Sequence, residues 1–521
     1  MPTLVNRYPV GVQSFKDIRR RGLVYIDKTS YIWNLAHQGG KSFFLIRPRR
    51  FGKSLLISTM QAYFEGRREF FGGLDIDQLE ADWEASPVIR LDMSTVKTRD
   101  VEELRLLIDR VLRPLESIYG SDARDFTPGS RLATLIERAS TDSGRQVVVL
   151  VDEYDAPLLN VMDDPHQLER FREVMREFYI PLKACGDHLR FVFLTGITKF
   201  GQLSIFSELN NLRNISMDSE FAGICGITQG ELTSILADDV QKLACAMGTS
   251  ADSVMAELKA HYDGYRFCGD SPDIYNPFRL LNAFARGQIG SFWYESGTPT
   301  FLVNLIRQRG WQFPDLDQQE VLSSQFDAPA ENASSLIALL YQAGYLTIKS
   351  YDPESRVYTL GIPNREVSQG LAESLVASAS DDARDTHSAF LIKLARDFRM
   401  GDVESALERL RAYLAGIPYH LGSRDERGFE TTFYLILDLL GIQIDTEFKT
   451  ATGRVDAIVR SRGNVYVMEF KYGRTAAEAL AQIDEKGYAL PFSADEGRVV
   501  KVGVNFSPEE QTVDDWIIRE G

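Results

Sequence analysis

The chain has 521 residues, 44% of them apolar and 25% charged, with 58 Lys and Arg against 74 Asp and Glu for a net charge of −16. At roughly 100–200 residues per domain that length predicts about three or four units, and the composition is that of a soluble globular protein rather than a membrane-spanning one, with no stretch of ~18 consecutive apolar residues. The acidic balance argues against indiscriminate nucleic-acid binding, and an N-terminus reading MPTLVNRYPVGV lacks the charged and apolar regions of a secretory signal.

In chain order, residues 1–60 hold eleven Lys and Arg against Asp17 and Asp27, a local +9 that leaves −25 for the rest. Such a block suits polyphosphate or nucleic acid, or is simply a solvated basic face. Residues 42–46 (SFFLI) predict a short buried strand, followed by a turn and a helix over 54–64. Further strands are expected at 88–94 (VIRLDMS), 146–151 (QVVVLV) and 191–196 (FVFLTG), with helices over 101–118, 130–140 and 165–184 between them. Strands alternating with helices imply a parallel sheet covered on both faces, with ligands at the carboxyl ends of its strands. Residues 228–310 read as mostly helical, and 333–362 as a helix and a hairpin in winged-helix outline. The small, polar and acidic run 376–386 reads as a linker. Helices are then expected over 387–419 and 426–440, strands around 442–448, 453–460 and 464–470, a helix at 475–488 and a strand at 498–505. The fold class is therefore α/β multidomain. A parallel sheet with helices on both faces occupies 1–225, a helical lid region 226–310, a winged-helix-like region 311–375 and a second α/β unit 387–521.

The first candidate site is Arg47-Pro48-Arg49-Arg50-Phe51-Gly52-Lys53-Ser54, set between a strand and a helix. It ends as a Walker A loop does, in G-K-S, although Arg47 stands where the first glycine usually lies. Backbone N–H groups at a helix N-terminus and the helix dipole attract an anion. Lys53 would reach the β and γ phosphates, Ser54 would hold Mg²⁺, and Gly52 would let the backbone approach closely. About a hundred residues later the apolar run 147–151 ends in Asp152-Glu153. Asp152 at a strand end suits a magnesium ion, and Glu153 suits polarisation of the attacking water. Thr195 ends the next strand, as a γ-phosphate sensor or as a hydroxyl satisfying a turn. Arg49 and Arg50 are read as contacts to phosphates, to a partner, or to neither.

With these residues in place the chain resembles the AAA-ATPase-like family of bacterial proteins. The resemblance runs through YPVGVQSFKDIRRRGLVYIDKTSYIWNL, FFLIRPRRFGKSLLISTM, VVVLVDEYDAPL and FVFLTGITKFGQLSIFSELNNL, and returns in YDGYRF, YNPF, ESGTPTFL and IPNREV. It implies a P-loop ATPase with an extra strand, here VIRLDMS, between the two Walker motifs. In that family an arginine at the first-glycine position is normal.

The second candidate site is Asp456 followed by Glu469 and Lys471. Glu-x-Lys on a strand puts both side chains on one face, and Asp456 on the preceding strand can lie beside them. Two close carboxylates repel, and a divalent cation resolves that repulsion. Cys185, Cys225, Cys245 and Cys268 form no C-x-x-C pair, and the six histidines are scattered. Any metal is therefore expected on carboxylates, which suits Mg²⁺ or Mn²⁺, in a reducing cytoplasm. Lys471 would position water or neutralise developing charge, and Glu447 on the strand before would add a contact. The D-x12-E-x-K pattern resembles the PD-(D/E)XK nuclease fold. That resemblance implies catalytic roles for Asp456, Glu469 and Lys471, and places Gln482 and Tyr488 on a helix facing the site, against a capping or core role for each. Glu426 or Glu430 on the leading helix would complete it. Residues 441–500 hold nine acids and eight bases, so no basic groove is evident.

Together these readings predict a cytoplasmic protein that binds ATP with Mg²⁺ and hydrolyses it, and cleaves DNA with Mg²⁺ or Mn²⁺. Oligomerisation is open and no membrane partner is expected. One rival is a signalling or scaffold ATPase whose nuclease-like domain only binds nucleic acid or protein; the other is a nuclease whose P-loop domain has lost hydrolysis and serves as a nucleotide-held scaffold.

Overall fold

The structure is a computed structural model. It describes residues 7–200, 212–292, 318–329, 336–377, 400–415, 443–450, 452–461, 463–492, 498–510 and 512–520, with single positions at 302, 305, 306, 316, 393, 394 and 396–398. The chain forms two compact units, Met1–Ser296 with Asp317–Glu366, and Gly297–Leu316 with Val367–Gly521.

The first unit is built on a parallel sheet of order β2-β3-β4-β1-β5, with β1 Ser42–Ile46, β2 Val88–Asp92, β3 Val147–Asp152, β4 Leu189–Gly196 and β5 Leu212–Asn214. Every residue of β3 is buried, as expected of a β-branched strand covered on both faces. One face packs against the helices Val101–Tyr119, Pro128–Ser143 and Pro165–Tyr179 in a single core cluster. The other carries the helix Lys53–Phe64, whose Phe64 meets Phe191 of β4 at 4.8 Å between ring centroids. Local chemistry sets the helix starts. Asp100 accepts from the Glu103 N–H, Thr127 and Ser130 form a capping box, and Asp164 accepts from the N–H groups of His166 and Gln167. The helix expected over 165–184 is divided into Pro165–Tyr179 and Pro181–Ala184, because Pro181 offers no N–H. The edge strand β5 was not expected; three residues carry no period to read.

The rest of this unit adds helices Ala237–Met247, Ala251–Tyr262 and Pro277–Arg286, whose core includes Tyr8, Val10, Val24 and Ile26 from the N-terminal segment. A two-stranded pair, β6 Ile227–Thr228 and β7 Ile274–Tyr275, closes this part. Helix Leu336–Ala343 then precedes the expected hairpin of β9 Thr347–Asp352 and β10 Val357–Gly361, joined by an unexpected third strand, β8 Gln319–Val321.

The second unit carries a mixed sheet of order β11-β12-β13-β14-β15: Gln443–Thr450, Gly453–Ser461, Asn464–Tyr472, Arg498–Ser507 and Thr512–Glu520. Only β13 and β14 run parallel, across the helix Ala476–Lys486. Alternation along β13 divides its side chains: Tyr466, Met468 and Phe470 join helix Val403–Ala415, while Val465 and Val467 join Leu480 and Ile483. The helix expected over 475–488 stops at Lys486, because Gly487 caps it in the left-handed conformation. The expected helix over 426–440 lies outside the described residues. The linker expected over 376–386 begins inside helix Arg365–Ala377, and its remainder is outside them too. Among the described residues no helix is long and apolar enough to cross a membrane.

Candidate functional site

The loop after β1 and the helix Lys53–Phe64 face a cavity of about 530 Å³ lined by Arg49, Arg50, Gly52, Lys53 and Ser54 on one side and by Glu153, Ala156 and Asn160 on another. Gly52 takes φ 93° as the N-cap and has no side chain to cap the helix, which suits its first-turn N–H groups to an anion. Arg50 also has positive φ, 66°, and its guanidinium lies 4.6 Å from the Phe278 ring centre. Phe51 is buried against Tyr265 and Phe267 and contributes backbone only. Arg47 is buried as well. Its guanidinium donates to the carbonyls of Ile46, Ser216 and Phe221 and stacks 4.0 Å over Phe267, so it braces the loop from behind.

Lys53 is buried, and its Nζ donates to the carbonyls of Arg47 and Pro48 at 3.0 and 3.1 Å. Burial pushes the ammonium pKa down, while Glu153, Asp152 and Asp155 oppose that shift. Asp152 ends β3 at the same level, 1% exposed. Burial raises its carboxyl to about 6, with the Ser54 hydroxyl and Lys53 pulling it back and Glu153 and Asp92 pushing it up. Its Oδ1 is buried and has no hydrogen-bond partner among the described residues. Such an oxygen beside a serine hydroxyl fits a divalent cation. Glu153 turns onto the cavity wall with φ 50°, a left-handed conformation rarely adopted without glycine.

Thr195 was expected as a γ-phosphate sensor or as a hydroxyl satisfying a turn. It is fully buried, and its hydroxyl donates to the Leu45 carbonyl across β1 and β4 at 2.9 Å. Sequence reasoning also passed over Tyr154 and Asp155. The Tyr154 hydroxyl donates to the Thr198 carbonyl and accepts from the Phe200 N–H. Asp155, fully buried, accepts from Ile197 and Thr198. The only hint in sequence was an acid set among apolar residues in DEYDAPL.

In the second unit Asp456 lies one step beyond the β12–β13 pair Ala457–Met468, opposite Glu469. Asp456 Oδ2 accepts from the Phe470 N–H at 2.8 Å. Glu469 is 1% exposed, and its Oε1 accepts from Lys471 Nζ at 3.1 Å and from Gln482 Nε2. Its Oε2 is buried and has no hydrogen-bond partner among the described residues. Burial and then the Asp456 charge raise the Glu469 carboxyl to about 7, with Lys471 opposing. Two carboxylates, one with an oxygen left open, fit a hard cation. Gln482 thus reaches Glu469 from helix Ala476–Lys486. Tyr488 follows Gly487, is buried with Val455 and Phe492, and holds its hydroxyl over Gly453, where an added Cβ would come within 2.7 Å. Glu447 lies on β11, but its side chain is outside the described residues, as are Glu426 and Glu430. Among the described residues no group of three or more His, Cys, Asp or Glu is placed to hold a metal ion.

Compared with known proteins, residues 9–206 match a family described as predicted AAA-ATPase, and residues 424–516 match the PD-(D/E)XK nuclease superfamily. A protein of Azotobacter chroococcum mcd 1, named as an uncharacterized protein in the vnfD 5' region, is 34% identical over 530 residues. That alignment covers 98% of this chain and 99% of the relative.

Proposed function

We propose, for a chain that belongs to the AAA-ATPase-like family and carries a C-terminal domain of the PD-(D/E)XK nuclease superfamily, that the first domain binds and hydrolyses ATP and the last cleaves phosphodiester bonds, DNA being the favoured substrate. The proposal keeps the division into 1–225, 226–310, 311–375 and 387–521. One observation carries it. Among the described residues, each site buries a carboxylate oxygen without a hydrogen-bond partner, Asp152 Oδ1 and Glu469 Oε2, with a lysine beside it. A buried unpaired carboxylate oxygen is costly unless a cation completes it.

In the first site the N–H groups after Gly52 and the Lys53 ammonium hold the phosphates, and Arg49 and Arg50 flank them. Ser54 and Asp152 would hold the magnesium ion, which when bound offsets charge on the β and γ oxygens. Glu153 orients the attacking water and accepts its proton. In the second site Asp456 and Glu469 would hold Mg²⁺ or Mn²⁺, which supplies Lewis acidity at the scissile phosphate. Lys471 offsets charge developing on that phosphate, and Gln482 holds the Glu469 carboxylate in place.

The test uses the full chain. Fluorescent ATP should bind to the wild type and not to Lys53→Ala, and Mn²⁺ should bind calorimetrically to the wild type and not to Glu469→Ala. Supercoiled plasmid should be nicked by Lys53→Ala and left intact by Asp456→Ala. A wild type that binds Mn²⁺ yet cleaves neither DNA nor RNA would favour the reading in which this domain only binds.

A further inference from the structure

Among the described residues lining the cavity in front of the P-loop there are four cations, Arg49, Arg50, Lys53 and Lys97, and one acid, Glu153. Three of the cations come from the loop after β1 and the first turn of the helix that follows it. Lys97 does not: it arrives on the segment that leaves β2, on the far side of β3. Nothing in the sequence singled it out.

Its position is built rather than incidental. Asp92 and Asp152 are paired in register at the ends of β2 and β3, and the Met93 N–H donates to the Asp152 carbonyl at 3.1 Å. The Asp92 carboxylate accepts from the Ser94 N–H and hydroxyl at 3.0 and 2.7 Å. Val96 packs on the core of the sheet, Thr98 is fully buried, and the Arg99 N–H donates to Glu103 Oε2 at 2.7 Å. The segment is therefore pinned on both sides of Lys97, while the Lys97 side chain is exposed to the cavity.

With the inner phosphates on the loop after β1 and the magnesium ion on the β3 carboxylates, as proposed above, the outer end of a triphosphate would lie past β4 toward β3, since the strand order is β2-β3-β4-β1. The segment after β2 lies next beyond them. We propose that Lys97 is a catalytic cation, supplied by the same chain, for the terminal phosphate of the nucleotide. In hydrolysis the water oxygen bonds to the γ phosphorus and the bond from γ phosphorus to the bridging oxygen breaks. The electron pair stays on the β-phosphate oxygen of ADP, and the water proton passes through Glu153 to solvent. Lys97 keeps its proton throughout and offsets charge on the γ oxygens, which grows as that bond breaks.

This inference rests on the nucleotide reading of the P-loop, and the experiment separates the two. Lys97→Met in the full chain alters an exposed side chain, so its circular dichroism and melting should match the wild type. ADP should bind it within about twofold of the wild-type Kd. The wild-type preference for ATP over ADP should vanish, and phosphate release should fall at least about tenfold, with Lys97→Arg restoring part of it. Equal loss of ADP and ATP affinity would make Lys97 a general phosphate contact and overturn the proposal, as would unchanged phosphate release with an unchanged ATP preference. A wild type that binds neither nucleotide would instead overturn the P-loop reading, and this inference with it.

Discussion

Asp155 grips Thr198 twice, through the Thr198 N–H and the Thr198 hydroxyl, both at 2.7 Å from Oδ2. The same carboxylate accepts from the Ile197 N–H at 3.0 Å, and Gly196 must lack a Cβ because one would come within 2.4 Å of Asp155 Oδ1. The loop after β4 is thereby tied to the turn that carries Glu153. One residue on, the Lys199 N–H donates to Gln342 Oε1 and its Nζ meets Asp327 at 3.0 Å. Gln342 in turn donates to the carbonyls of Phe326 and Ala328.

Asp155→Ala should destabilise the first unit strongly. It strands three buried donors, each worth about 1–3 kcal/mol, so a loss of about 3 kcal/mol or more is expected in urea titrations. Burial raises the Asp155 carboxyl and the bonds from Thr198 and Ile197 lower it; the substitution removes the acceptor those bonds need. A midpoint within error of the wild type would mean that the loop holds itself.

Lys53→Met should separate stability from binding. The Lys53 ammonium is buried and its pKa is pushed down by burial, so an apolar chain of similar length relieves a desolvation cost but strands the Arg47 and Pro48 carbonyls that the ammonium bonds. Its melting temperature without nucleotide should fall modestly, with the fold retained. Nucleotide in hundredfold excess over Kd stabilises a binding protein by about 2.7 kcal/mol, and that increment should be absent from the variant. Retention of the increment would mean that Lys53 is not a phosphate ligand.

These two sites were unequally legible in the sequence. The apolar run into Asp152-Glu153 and the alternation that places Glu469 and Lys471 on one strand face depend on neighbours within a few residues, so periodicity exposes them. Arg47 as a brace, Asp155 as a clasp and the Thr195 hydroxyl on Leu45 depend on partners up to 174 residues away. No local pattern encodes such partners. Strand β15 eluded the reading for another reason: the run TVDDWIIRE at the sheet edge mixes charged and apolar residues without strict alternation.

Stability without metal should fall as pH rises. Glu469 is raised from 4.5 to about 7 in the folded chain, so the folded state binds more protons than the unfolded one across that interval. Its contribution is fully present below pH 4.5 and is lost as pH climbs through about 7. Asp152, raised to about 6, adds a slope of the same sign. Urea midpoints in EDTA should therefore decline from about pH 4.5 to about 7, and Glu469→Gln should flatten the upper part of that decline. Mn²⁺ affinity at the second site should rise over the same interval, since the cation competes with the Glu469 proton. A wild-type midpoint that rises with pH would contradict the burial of these carboxylates.

Gln482 and Tyr488 were expected to face the second site as a pair, and their surroundings predict opposite outcomes for their removal. Gln482 donates to Glu469 Oε1, the oxygen that also accepts from Lys471. Losing that donor frees the carboxylate to rotate and raises its proton affinity further, and outer contacts of this kind are typically worth about 10–100-fold in metal affinity. Gln482→Leu should therefore weaken Mn²⁺ binding by about tenfold at pH 7, with recovery at higher pH where the Glu469 proton is gone. Tyr488 sits in the core with Val455, Ile483 and Phe492, and its hydroxyl hangs over Gly453. Tyr488→Phe should leave Mn²⁺ affinity unchanged, whereas Tyr488→Ala should open a cavity costing about 3–5 kcal/mol. Calorimetric Mn²⁺ titration of the two conservative variants decides the matter: equal losses would place both side chains at the metal, and no loss in either would remove Gln482 from it.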